Sequence, residues 1–381
     1  MNILFVVCGE GLGHASRSVK LAKYLEEHGF SCHIATYGNS YEFVKRQGIS
    51  RLHRVPHEVR LDGDNGFFSF SKTLWASKGV PLDLIHSMNE VRHLIRLNKI
   101  DLVIADTMYA AVPAAKLEKI PAFFMTNQNR FSTAKDGDSL PWRLLSFIVE
   151  SYLTIPDAVI IPDFAPPDTI SGYNISTREK NGMKYHFVGP MMELERENYQ
   201  ITNETIFASF GGEPFKVPLY GLLKNIADRR TELSFEVFST APGLPEDGDN
   251  FRTFGYVPDL HEYLAKAKVA ILHGGLTTLH ESLFFGKPVV MIIDPSHPEQ
   301  WNNARKIMDL NAGVLVDGRH LTEETLESAL DTALSMTPPD FSLQFVSQNG
   351  REKTLKLIEQ FMKTEIHKPA CLKGTTKEAV D

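Results

Sequence analysis

The sequence is poor in cysteine: three stand in 381 residues, at positions 8, 32 and 371. An odd, widely spaced set suits neither a disulfide framework nor a zinc site, and it points to a reducing compartment. Cys8 and Cys32 lie in apolar stretches and read as small core residues. There is no excess of basic charge: 40 Lys and Arg stand against 47 Asp and Glu, a net charge of −7. That balance excludes a general nucleic-acid binder, so no nucleic-acid partner is expected. No apolar run approaches the ~20 residues of a membrane-spanning helix. The opening MNILFVVCGEG lacks a basic leading segment and its apolar run is short, unlike a secretion signal. A cytoplasmic protein is expected, with peripheral contact to the cytoplasmic face of a membrane left open. No Asp-x-Asp pair falls in a loop suited to holding a metal, so neither a metal nor any other cofactor is expected to be obligatory.

What is present is an alternation. The apolar runs NILFVVC, SCHIAT, DLVIAD, PAFFMT and DAVIIP read as strands. Between them lie amphipathic patterns such as HASRSVKLAKYLEEHG, where Ser18, Leu21, Ala22 and Leu25 share a face and Gly29 suits a C-terminal cap. Strands buried on both sides and separated by helices imply a parallel sheet with right-handed crossovers. After a charged stretch, MMELERENYQITNE, the alternation restarts with TIFASF, LSFEVFS, NFRTFGY, KVAILH, PVVMII and GVLV. The reading is therefore α/β with two Rossmann-like domains facing across a cleft. Residues 1–190 form the first domain, 191–204 a linker and 205–348 the second domain. A helix over 349–365 can pack back on the first domain, and 366–381 form a disordered tail. Ligands in open parallel sheets bind beyond the carboxyl ends of the strands, which is where the unusual loops fall.

The first such loop is GEGLGHASR, from Gly9 to Arg17. It does not meet the dinucleotide fingerprint G-x-G-x-x-G, and no acidic ribose partner ends the second strand. His14 is the candidate base, because imidazole can take a proton from an attacking hydroxyl near neutral pH. Asp106, at the end of DLVIAD, falls on the same edge and could orient that ring. The alternative is that His14 caps its loop and Asp106 caps the following helix. In the second half, HGGLTTLHESLFFGKP starts at His273. Gly274 and Gly275 permit close backbone approach, and a helix starting at Thr278 would offer phosphate its unpaired N–H groups. Glu281 then serves either a ribose or a capping box with Thr278. DPSHPEQWNNAR brings Glu299, Gln300 and Asn303 to the same edge, where carboxylates and amides suit sugar hydroxyls.

The pattern H-x-G-x-x-T-x-x-E, then G-K-P, then P-x-x-x-E-Q-x-x-N-A resembles the donor-sugar signature of GT-B glycosyltransferases. It is most similar to UDP-glycosyltransferases and to MurG-like enzymes of the glycosyltransferase family 28 type, and the resemblance spans roughly residues 1 to 362. It implies that His273 and the backbone of Gly274, Gly275, Thr277 and Thr278 hold the diphosphate, and Glu281 the ribose. Glu299 and Gln300, with Asn303, would meet the transferred sugar, and backbone around Tyr256 and Val257 the uracil. Ser209, Gly211 and Gly212, in SFGGE, resemble a second glycine-rich phosphate loop. Gly11 and Gly13 would line the acceptor side with His14. A long aromatic segment carrying Phe67, Phe68, Phe70 and Trp75 belongs there too, since such loops are often functional. WRLLSFIVESYL (142–153) either joins that greasy entrance or packs into the first domain.

The activity implied is inverting, metal-independent transfer of a hexosyl or N-acetylhexosaminyl group. A UDP-sugar would be the donor and a hydroxyl of a hydrophobic or lipid-linked acceptor would receive the sugar. Two alternatives remain: a UDP-sugar epimerase of the same fold, and a non-catalytic nucleotide-sugar binding protein.

Overall fold

The structure, a computed structural model, describes residues 1–58, 63–64, 67–68, 80–177, 185–193, 198–257 and 259–366. Phe70, Trp75 and Cys371 lie outside the described residues. The first domain contributes β1 (Asn2–Val7), β2 (Ser31–Thr36), β3 (Leu52–Arg54), β4 (Gly63–Asp64), β5 (Phe67–Phe68), β6 (Leu102–Asp106), β7 (Ala122–Met125), β8 (Ala158–Ile161) and β9 (Tyr185–Phe187). The second contributes β10 (Thr205–Ser209), β11 (Ser234–Phe238), β12 (Phe251–Phe254), β13 (Ala267–Leu272), β14 (Val289–Ile293) and β15 (Gly313–Asp317).

Seven strands form one parallel sheet in the order β3-β2-β1-β6-β7-β8-β9. Six form another in the order β12-β11-β10-β13-β14-β15. Central strands are apolar on both faces because helices cover both: Ile3 to Val7 and Val289 to Ile293 are all buried. In each sheet the chain starts at an inner strand, winds outward to one side, then returns to build the other. The reversal falls between β1 and β6 in the first sheet, paired Val7 to Asp106, and between β10 and β13 in the second, paired Ser209 to Leu272. Such switch points open a crevice beyond the strand ends. The two strand pairs that flank them carry the loops singled out in the sequence.

Helix Leu12–Glu27 buries Ala15, Ser18, Val19, Leu21, Ala22 and Leu25 against the first sheet. It ends where Gly29 takes φ +84, with Phe30 N–H bonded to Leu25 C=O at 3.1 Å and Gly29 N–H to Glu26 C=O at 3.0 Å. That paired closure needs a left-handed residue, which glycine adopts without a Cβ clash.

The helix Gly350–Ile366 returns to the first domain. Leu355 and Ile358 join the core around Val19, Ala22 and Ile34, and Phe361 meets Phe123 edge-on at 5.1 Å. The crossing between domains is tight: a Cβ on Gly350 would stand 2.4 Å from the Gly189 carbonyl oxygen. The stretch expected to be a plain linker begins inside the protein, with Met191 packed in the first domain's core and Met192 in the second's. Ile358 is fully buried. Ile358→Ala is therefore expected to cost about 2–5 kcal/mol of stability in chemical denaturation. An unchanged midpoint would mean that the helix contributes nothing to the first domain.

Candidate active site between the two sheets

His14 lies in the first turn of helix Leu12–Glu27, directly beyond β1. Its Nδ1 is 2.8 Å from Oδ1 of Asp106, the last residue of β6, so strand pairing brings together residues 92 positions apart. Asp106 is fully buried. Its Oδ2 accepts from Arg17 Nε at 2.7 Å and Ser18 Oγ at 3.0 Å, and Arg17 Nη2 also bonds Oδ1. Burial alone would raise the Asp106 carboxyl, but the Arg17 guanidinium and His14 beside it hold it well below the usual carboxylate range. Asp106 is not a helix cap: the next helix, Ala111–Leu117, starts five residues later with Ala110 before it. A His14 ring that donates its Nδ1 proton to Asp106 keeps a lone pair on Nε2. Arg17, at the end of the GEGLGHASR loop motif, carries no signal of its own in the sequence.

The loops expected to hold the donor sit opposite, Thr277 Oγ1 lying 3.5 Å from the Gly13 carbonyl oxygen. Helix Leu276–Phe284 follows β13, and Gly275, in extended conformation, caps it. It starts two residues earlier than the Thr278 expected, so Thr278 is its third residue. Glu281 therefore lies in the second turn, too far in for the capping box, and no side chain caps this helix. Instead Glu281 is buried, and its Oε1 pairs with Lys20 Nζ at 3.0 Å and His261 Nε2 at 3.2 Å. Burial would raise its carboxyl, yet Lys20 and His261 bring it down to about 2. His273, before the helix, is held neutral: burial and the nearby Lys216 and His297 push its imidazole well below the usual value. Its Nδ1 is buried without a partner among the described residues. Gly274 takes φ +82 and Gly211 φ +95, and a Cβ on Gly212 would collide with Thr240 Oγ1 at 2.2 Å.

The two halves touch across the cleft. Thr277 Oγ1 reaches the Gly13 carbonyl at 3.5 Å, and Glu299 Oε1 accepts from Asn127 Nδ2 at 2.8 Å. Glu299 also acts electrostatically on Arg17, the guanidinium that pairs with Asp106. Behind it His280 Nε2 meets the buried Asp163 at 2.9 Å.

Other expected residues are placed differently. Gln300 is buried, and its Oε1 accepts from Asp294 N–H at 2.8 Å. Asn303 is committed at both ends of its amide: Nδ2 donates to the Gly274 carbonyl at 2.9 Å, and Oδ1 accepts from Asn174 at 2.9 Å. It shapes the glycine turn rather than facing a sugar. Tyr256 is turned to the first domain, its hydroxyl accepting from Gln47 at 2.8 Å and its ring beside Phe43 and Arg46; Val257 packs against the second domain's core. Of the acceptor-side aromatics, Phe67 and Phe68 form strand β5 paired with β4, and β4 comes alongside the turn Pro214–Lys216.

The chain is similar to known glycosyltransferases in sequence and in fold. Residues 230–360 match the glycosyltransferase family 28 C-terminal domain, and residues 1–143 match glycosyl transferase family 1. An uncharacterized glycosyltransferase of Methanosarcina mazei is 28% identical over 339 residues, covering 86% of this chain and 88% of that protein. Among solved structures, the spinosyn rhamnosyltransferase SpnG complexed with thymidine diphosphate aligns with a TM-score of 0.64 at 15% identity, over 95% of this chain and all of that one. MurG of Acinetobacter baumannii aligns with a TM-score of 0.56 at 15% identity, over 95% and 99%. The chain has the GT-B fold, and it is a glycosyltransferase of the GT-B type.

The buried Asp106 carboxylate makes Arg17 indispensable to the fold as well as to the site. Arg17→Met is expected to destabilise by about 3–5 kcal/mol, the usual cost of leaving a buried charge unpaired. Asp106→Asn added to it should recover most of that loss in chemical denaturation. No recovery would show that packing of the Arg17 stem, not the charge, is what matters.

Proposed function

We propose that the protein is an inverting glycosyltransferase that moves a sugar from a UDP-sugar to a hydroxyl of a hydrophobic or lipid-linked acceptor. The observation that carries the reading is the hydrogen-bonded His14–Asp106 pair at one switch point, facing the start of helix Leu276–Phe284 at the other. The donor's diphosphate lies against that helix start and the loop at Gly211 and Gly212, where backbone N–H groups and the helix dipole meet its charge. Glu281, already ionised, takes the ribose hydroxyls in place of Lys20 and His261. Glu299 takes a hydroxyl of the sugar; Gln300, through its amide nitrogen, is the second candidate.

The acceptor oxygen attacks the anomeric carbon from the face opposite the diphosphate. The bond from that carbon to the phosphate oxygen breaks, and its electron pair leaves on the oxygen. Nε2 of His14 takes the acceptor's proton, and Asp106 stabilises the imidazolium that results. Preorganised donors at the diphosphate carry the charge that develops there, so no metal is obligatory in this mechanism.

The acceptor class is supported by helix Leu140–Tyr152. Trp142 and Val149 are buried, while Leu140, Leu144, Phe147 and Ile148 are exposed along one stripe at helical spacing. A stripe of this kind suits an apolar acceptor or the surface of a lipid monolayer. No helix among the described residues is long and apolar enough to cross a membrane.

His14→Ala is expected to lower turnover about 10²–10⁴-fold on a hydroxyl acceptor, with nucleoside diphosphate affinity scarcely changed, as general base removal requires. Steady-state transfer assays over a panel of UDP-sugars, paired with calorimetry, check this. Full activity in His14→Ala would contradict the mechanism. Epimer formation from UDP-N-acetylglucosamine without any acceptor would favour an epimerase instead.

A further inference from the structure

Lysine is rarely buried, and Lys216 is only 9% exposed. It closes the short turn Pro214–Lys216, at the start of helix Val217–Arg229. Its Nζ donates to the Phe210 carbonyl at 2.5 Å and pairs with Glu213 Oε2 at 3.0 Å. The same Glu213 oxygen lies 2.7 Å from where a Cβ of Gly211 would stand, and Lys216 Nζ lies 3.4 Å from it. The carboxylate thus folds over the glycine loop. Its oxygen is buried and accepts no hydrogen bond among the described residues, so the ion pair alone holds it there. The ammonium also reaches electrostatically to His273 and His297, the side chains beyond β13 and β14.

An anion supplied by the chain itself therefore occupies a glycine-lined space at the second sheet's switch point. It is clamped by one buried cation, whose charge also reaches the neutral imidazole of His273. We propose that Lys216 is a diphosphate-binding residue of the donor site and that Glu213 is its resting counter-ion, displaced when the nucleoside diphosphate arrives. The inference rests on the nucleotide-sugar reading and adds to it a fixed positive charge. Burial strengthens that charge's pull on phosphate oxygens relative to water, and it meets the electron pair that leaves with the phosphate oxygen. Exchanging one anion for another leaves Lys216 paired throughout, so its burial is never uncompensated.

Calorimetry with UDP, dTDP, GDP and ADP, and with the matching nucleosides, tests this on the full chain. For the diphosphate that the wild type binds best, Lys216→Met should weaken binding about 10- to 100-fold, the worth of a charge-assisted contact. Affinity for the corresponding nucleoside should stay as in the wild type. Glu213→Gln, which removes the competing anion, should bind the same diphosphate several-fold more tightly, and it remains informative if Lys216→Met fails to fold. Unchanged diphosphate affinity in Lys216→Met, or equal losses for diphosphate and nucleoside, would overturn the role of Lys216. Unchanged or weaker diphosphate binding in Glu213→Gln would overturn the counter-ion. A wild type that binds none of the four diphosphates would overturn the nucleotide-sugar reading and this inference together.

Discussion

A single buried carboxylate organises the first half of the cleft. Asp106 has no access to solvent, so its charge must be met inside the protein. Arg17 meets it with two N–H groups, Ser18 with a hydroxyl and His14 with a ring nitrogen, all from the first two turns of one helix. The helix cannot shift along the sheet without stranding the carboxylate. Its register, and with it the position of His14, is therefore fixed by electrostatics as much as by the apolar face of Val19, Leu21 and Leu25. Such a network adds little net stability, because desolvation offsets the attraction, but it selects one arrangement over its neighbours.

The second sheet mirrors this arrangement without copying its chemistry. Its switch point is lined by glycines, a neutral histidine, a helix N-terminus and the Lys216–Glu213 ion pair. The cleft between the halves is closed by polar contacts, from Lys20 to Glu281, Asn127 to Glu299 and Gln47 to Tyr256. Each joins a residue of the first domain to one read from the sequence as donor-binding. The buried His280–Asp163 bond and the tight crossing at Gly189 and Gly350 also join the two domains.

The strands were legible because both faces of each are buried, which writes a continuous apolar run into the sequence. Runs such as NILFVV and VVMII needed no knowledge of their neighbours. The pairing of His14 with Asp106 was legible as a shared sheet edge, since both follow central strands. What was not legible were the partners that arrive from elsewhere. Lys20 meets Glu281 from 261 positions away, and Asn174 meets Asn303 from 129. Spacing alone also misplaced the start of helix Leu276–Phe284. Gly274 turns through a left-handed conformation, and Gly275 takes the cap that Thr278 was expected to serve, so Glu281 moved from capping distance into the second turn. Nothing in the sequence singles out Lys216, because only the folded turn shows that it is buried.

The tautomer of His14 decides whether the dyad can act as a base. Two neighbours compete for Nδ1: Asp106 Oδ1 at 2.8 Å would receive its proton, and Arg17 Nη2 at 3.0 Å would donate to its lone pair. Nitrogen-15 NMR of the histidine side chains, recorded at a pH where the imidazole is neutral and assigned with His14→Gln, reads the proton's position directly. The account predicts a proton on Nδ1 and a free lone pair on Nε2. A proton on Nε2 would contradict it, since that ring could not take a proton from an acceptor in the cleft.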